Sequence, residues 1–163
     1  MQRLLGRALV TICAPLAAAL LLAGTAEGQA TRIDFTLTGT CVTTSPGEVM
    51  LANGNIITRG LLQTCDNVTD YPSTSVSYSV ANSNLDSAGN GPVWGTIRIE
   101  DDVFGVLEGS FRGKVFAGGT AYTVNGVAQS LGPEHAKLFF TSGAHFVTPD
   151  QTVGEGTGTI LIP

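Results

Sequence analysis

The stretch VWGTIRIEDDVFGVLEGSFRGKVF, from Val93 to Phe116, decides how the chain folds. Two runs that alternate apolar and polar residues flank Glu100, Asp101 and Asp102, and an alternation of period two marks strands with one covered face. In the first run Val93, Gly95, Ile97 and Ile99 share a side, opposite Trp94, Thr96, Arg98 and Glu100. In the second, Val103, Leu107, Phe111 and Val115 oppose Val106, Glu108, Ser110 and Arg112. The segment reads as a long β-hairpin with its acidic residues at the tip. A slip of one residue would drive Arg98 and Arg112 into the core, so the pattern also fixes the register.

Working outward, the same alternation recurs. Ile33, Phe35, Leu37 and Cys41 share a side from Arg32 to Cys41, and Val76, Tyr78 and Val80 oppose Ser75, Ser77 and Ser79. Asn53-Gly54 is a hairpin dipeptide between Glu48–Ala52 and Ile56–Cys65. Asn67 to Ser73 reads as a loop, Gly118-Gly119 as a turn, and Asn125-Gly126 as a bulge or second turn within Ala121 to Ser130. Lys137 to Ser142 is a strand, His145 to Glu155 a loop, and Gly156 to Ile162 a last strand. No stretch from Thr31 onward has a long helical period. About nine short strands imply an all-β domain, a sandwich or a barrel. Closure removes exposed edges, which favours one small antiparallel β-barrel of about eight strands over residues 31–163.

Residues 1–30 have a different character. Arg3 and Arg7 precede an apolar run from Ala8 to Ala23, with small residues at Gly24, Ala26, Gly28 and Ala30. This is the pattern of a cleaved signal peptide. The run falls short of the roughly 20 residues a spanning helix needs and contains Pro15. Export to a secreted or periplasmic location is expected, with no stable membrane insertion after cleavage and with Cys13 discarded. The cleavage site, Ala26 or Ala30, stays open, as does the oligomeric state.

From Thr31 onward six Lys/Arg stand against twelve Asp/Glu, a net charge of −6. Such a chain is a poor partner for nucleic acid or anionic membranes. Cys41 and Cys65 are expected to form a disulfide, because an exported pair in an oxidising compartment is more readily bridged than free.

Candidate chemistry is sparse. Glu108 is the one mid-strand carboxylate placed to act in acid/base work if buried. Its parity, opposite to Leu107 and Phe111, favours instead an exposed group paired with Arg98 or Arg112. His135 and His145 are the only histidines, both in expected loops, and no spacing resembles a zinc site or a catalytic triad. Glu100-Asp101-Asp102 lacks a calcium-loop pattern and reads as a solvated tip. No metal or cofactor is expected. Trp94 and Tyr122 are the candidate ligand contacts at a barrel mouth. Asn67-Val68-Thr69 would accept glycosylation only in a eukaryotic secretory pathway.

The run Leu107-Glu108-Gly109-Ser110-Phe111-Arg112-Gly113-Lys114, after Trp94-Gly95-Thr96-Ile97 and before the terminal Gly156-Thr157-Gly158-Thr159-Ile160-Leu161-Ile162-Pro163, resembles exported bacterial proteins of the allene oxide cyclase barrel-like, dirigent-related group. Leu107 stands where that group carries an aromatic residue. Ser130 to Leu138 keeps Glu134, Lys137 and Leu138 but places Pro133 and His135 at usual Leu and Gly positions. The resemblance implies an eight-stranded barrel with an apolar cavity. Two roles are expected: a non-catalytic exported protein that holds a small lipophilic ligand or makes extracellular contacts, which fits the apolar strand faces and the expected disulfide, and, as the resemblance implies, a cofactorless cyclase or isomerase. A structural or adhesive surface protein is the third reading left by the residues.

Overall fold

The computed structural model describes residues 30–163, so the signal-peptide reading falls, but for Ala30, outside the described residues. Nine strands follow in chain order: β1 (Thr31–Ser45), β2 (Glu48–Ala52), β3 (Asn55–Thr69), β4 (Thr74–Leu85), β5 (Gly91–Asp101), β6 (Gly105–Phe116), β7 (Ala121–Ser130), β8 (Lys137–Thr148) and β9 (Gln151–Ile162). They form one antiparallel sheet in the order β1-β9-β8-β7-β6-β5-β4-β3-β2, and β1 also pairs with β3. That extra pairing closes an eight-stranded barrel and leaves β2 as the ninth strand. β1 reaches both neighbours because it is long. Thr31–Val42 pairs with β9, and Leu37–Ser45 pairs with β3.

The deciding stretch is a hairpin with Ile97 opposite Gly109 and Arg98 opposite Glu108; Val103, expected on the covered side of the second strand, instead lies exposed in the tip, and Phe104 is the residue buried there. At its tip Asp101 Oδ1 accepts the Val103 and Phe104 backbone N–H groups, each at 2.9 Å. Gly105 follows at φ 67°, a conformation that costs an L-residue energy and glycine none. The turn thereby folds Phe104 back over the end of the barrel, where it is 5% exposed and stacks on Tyr71 at 5.7 Å between ring centroids.

Three expectations about local structure need correction. Asn125-Gly126 does not interrupt β7, whose ladders to β6 and β8 run without a register shift. Nor is 145–155 a loop: β8 continues to Thr148, Pro149-Asp150 makes the reversal, and β9 begins at Gln151. A single bulge lies between Phe146 and Thr148. Glycines and polar residues mask these strands in the sequence, but ladder hydrogen bonds do not depend on side-chain polarity. Similarly, β3 extends into the expected 67–73 loop as far as Thr69.

Gly126 has a packing reason. It lies opposite both Phe111 and Phe140, Gly95 opposite Phe111, and Gly158 opposite Phe140 and Phe35. One interior row therefore alternates Gly95, Phe111, Gly126, Phe140, Gly158 and Phe35 across six neighbouring strands. A Cβ on Gly126 would strike the Phe140 ring, and one on Gly158 the Phe35 ring. Glycine here is the floor on which each aromatic ring lies, the device by which aromatic residues cover strand glycines.

The row separates two packed clusters. Toward the Phe104 end lie Ile99, Leu107, Ala128, Ala136, Leu138 and Ile160; toward the other lie Ala81, Val93, Val115 and Val124. The Cys41–Cys65 disulfide joins directly opposed residues of β1 and β3 across the seam that closes the barrel. With its cysteines 24 positions apart, it stabilises the fold by about 3 to 4 kcal/mol on the chain-entropy account.

Candidate functional site: the barrel interior

A cavity of about 320 Å³ runs inside the barrel. This is at the lower end of the range of small-molecule sites. Its two walls differ in chemistry. Strands β5 to β8 contribute the apolar Ile97, Leu107, Phe111, Val115, Val124 and Phe140, with Asp101 at the Phe104 end and Tyr122 and Ser142 toward the other. Strands β3 and β4 contribute Gln63, Asn67, Ser75, Ser77 and Ser79, with the disulfide at Cys65 beside them.

Ladder geometry places the serines inside. Residues opposite one another in neighbouring strands share a face, and Ser77 lies opposite Ile99, Ser79 opposite Ile97 and Ala81 opposite Gly95. On β3, Cys65 lies opposite Ser77, Gln63 opposite Ser79 and Asn67 opposite Ser75. Tyr78 and Val80 consequently point outward and are exposed, as are Leu62 and Val42 on the adjoining strands. Small hydroxyls on β4, where Val76, Tyr78 and Val80 would otherwise fill the interior, leave the space that the cavity occupies.

The polar wall is partly self-satisfied. Asn67 Nδ2 donates to Ser77 Oγ at 3.1 Å and approaches Ser75 Oγ at 3.5 Å. Nearer the Phe104 end, Thr69 Oγ1 donates to the Tyr71 carbonyl at 2.6 Å and also lies 3.1 Å from the Ser73 carbonyl. Gln63 is 9% exposed and its amide makes no hydrogen bond among the described residues. Among the described residues no Arg, Lys or His lines the cavity, and Asp101 is the one charged residue on its wall, with its Oδ1 committed to the hairpin tip.

Of the residues singled out in the sequence, Tyr122 lines this cavity and Trp94 does not. Tyr122 lies opposite Val115 and Ala144 and meets the Phe146 ring edge-on at 6.2 Å. Burial pushes its phenol pKa up, and the nearby Thr152 hydroxyl partly opposes this. Thr152 Oγ1 is fully buried and has no hydrogen-bond partner of good geometry, so the approach of the two hydroxyls is a loose one. Trp94 sits on the outer surface, 44% exposed, opposite Asn82 and Arg112. The barrel wall separates it from the interior.

Glu108 is also on the outer surface and accepts from Arg98 Nη1 at 2.9 Å. Arg98 Nε donates to Glu100 at 3.1 Å, and the two carboxylates, Glu100 first, hold the guanidinium pKa above its ordinary value. Of the acidic tip, Asp102 caps β4 by accepting the Thr74 N–H at 2.9 Å. His135 lies in the β7–β8 turn at φ 49°, and His145 is exposed on β8. Among the described residues no three of His, Cys, Asp and Glu gather as metal ligands. Asn67, the residue of the Asn-Val-Thr motif, is turned into the barrel, so the folded chain does not present it as a glycosylation acceptor.

Comparison with known proteins adds no relative. No family model, no curated protein and no solved structure matches the chain. The site therefore has to be read from its own chemistry. Gln63, Asn67, Ser75, Ser77 and Ser79 line the interior, a role the sequence reading assigned to none of them. Their signal was present in the alternation of β4, but alternation defines two faces without saying which is interior.

Proposed function

We propose that this is an exported β-barrel protein that holds a small lipophilic molecule in its interior without transforming it. The observation that carries the reading is the cavity of about 320 Å³ with one wall of Ile, Leu, Val and Phe side chains. The disulfide supports folding in an oxidising compartment, secreted or periplasmic. Arg98, Glu108 and Arg112 on the outer face of β5 and β6 argue against a continuous lipid-facing band. Relationship to the allene oxide cyclase barrel-like, dirigent-related group belongs to the same proposal.

The test is native mass spectrometry of protein purified from the extracytoplasmic fraction of its producing cells, followed by solvent extraction. The expected result is one co-purifying lipophilic compound, lost in Tyr122→Ala. An empty protein that also fails to bind fatty acids, terpenoids and phenolics would overturn the reading. A cofactorless cyclase or isomerase is the second reading, favoured by the neutral Tyr122 phenol on the cavity wall, a group able to donate to developing oxyanion charge. Incubation with the extracted compound separates the two by turnover.

A further inference from the structure

We infer that the cavity takes a neutral amphipathic molecule carrying an uncharged hydrogen-bonding group, such as an amide or hydroxyl, and that Gln63 and Ser79 read that group. The inference rests on the proposed ligand-holding role and names the class of ligand. Three observations converge on it. The interior is two-sided, largely apolar on β5 to β8 and hydroxyl- and amide-bearing along Gln63–Asn67 of β3 and Ser75–Ser79 of β4. Among the described residues the Gln63 side chain, in a residue nine-tenths buried, meets no partner for its two donors and its acceptor, and Ser79, directly opposite on β4, is likewise unpaired. Finally, no cation among the described residues lines the cavity.

Each observation excludes a class. A pure hydrocarbon leaves the Gln63 amide unpaired at a cost that a bonded ligand removes. A carboxylate or phosphate ester would surrender its hydration with no Arg, Lys or His to offset the loss. A free ammonium would find its one counter-charge at Asp101, opposite Ser75 and four residues along β4 from Ser79, and would leave Gln63 and Ser79 unread. A neutral head group satisfies Gln63 and Ser79 and places its apolar body against Phe111, Phe140 and Leu107 across the cavity.

The experiment is isothermal titration calorimetry of the disulfide-intact protein near neutral pH with dodecanamide, dodecanoate and dodecane, which share a chain and differ in the head group. Dodecanamide is expected to bind at least about tenfold tighter than dodecanoate, the charged head bearing an uncompensated desolvation cost. Gln63→Leu is expected to weaken dodecanamide by about tenfold, the size of one lost hydrogen bond, and to tighten dodecane, which then leaves no amide unpaired. Ser79→Ala, a change too small to threaten folding, is expected to shift the same preference in the same direction by a smaller factor. Dodecanoate binding as tightly as dodecanamide, or both variants leaving dodecanamide affinity unchanged, would overturn this inference and leave the ligand-holding role standing. If none of the three probes binds, both fall together.

Discussion

The walls formed by β5–β8 and by β3–β4 are built from the same alternation with opposite signs. On β5 and β6 the apolar residues Ile97, Ile99, Leu107 and Phe111 turn inward while Arg98, Glu108 and Arg112 face solvent. On β4 the serines turn inward while Tyr78 and Val80 face solvent. In a closed barrel the ladder fixes which residues share a face, and a strand cannot rotate to bury its own apolar side without slipping against both neighbours. The first wall packs a core; the second leaves space and hydrogen-bonding groups beside it. The difference explains why one small domain has both stability and a cavity.

Substituting matched interior positions tests the comparison with the largest expected effect. Leu107 is 1% exposed and Ser77 is 6% exposed, so both are interior, on different walls. Leu107→Ala is expected to cost about 2 to 5 kcal/mol, lost transfer energy plus the cavity left behind. Ser77→Ala is expected to cost about 1 kcal/mol, reflecting the Asn67 hydrogen bond it removes. Urea denaturation of both variants measures the pair. Similar losses would mean that the β3–β4 wall is packed as tightly as the other.

A smaller effect sharpens the comparison at Tyr122, the phenol that β7 carries within the otherwise mostly apolar wall. Its folded pKa is raised by burial above the ordinary value near 10. The neutral phenol's contribution to stability is whole below the unfolded pKa and is lost as pH rises through the raised folded value. Thermal melts between about pH 9 and pH 11 should fall more steeply for the native chain than for Tyr122→Phe. Parallel curves would show that the phenol is solvated.

Much of the fold was legible in the sequence because strand period, turn dipeptides and paired cysteines are local signals. The hairpin from Val93 to Phe116, Asn53-Gly54 with both residues at positive φ, and the Cys41–Cys65 pairing all take the expected places. What escaped was non-local. Gly126 reads as a strand breaker until Phe140 lies over it, and 145–155 reads as a loop until β1 and β8 supply partners for β9. The interior polar wall escaped for a similar reason. The parity of Ser75, Ser77 and Ser79 is plain, but only β5 decides that it points inward.

The facing of β4 is therefore the claim on which the cavity, its polar wall and its ligand class depend. Variants Ser79→Cys and Val80→Cys, each adding one thiol away from Cys65 with the native disulfide intact, test it through the rate of modification by a bulky hydrophilic maleimide. Val80→Cys should react rapidly in the folded protein and Ser79→Cys only when denaturant opens the barrel. Rapid reaction of Ser79→Cys with protection of Val80→Cys would place the serines outside and contradict the account.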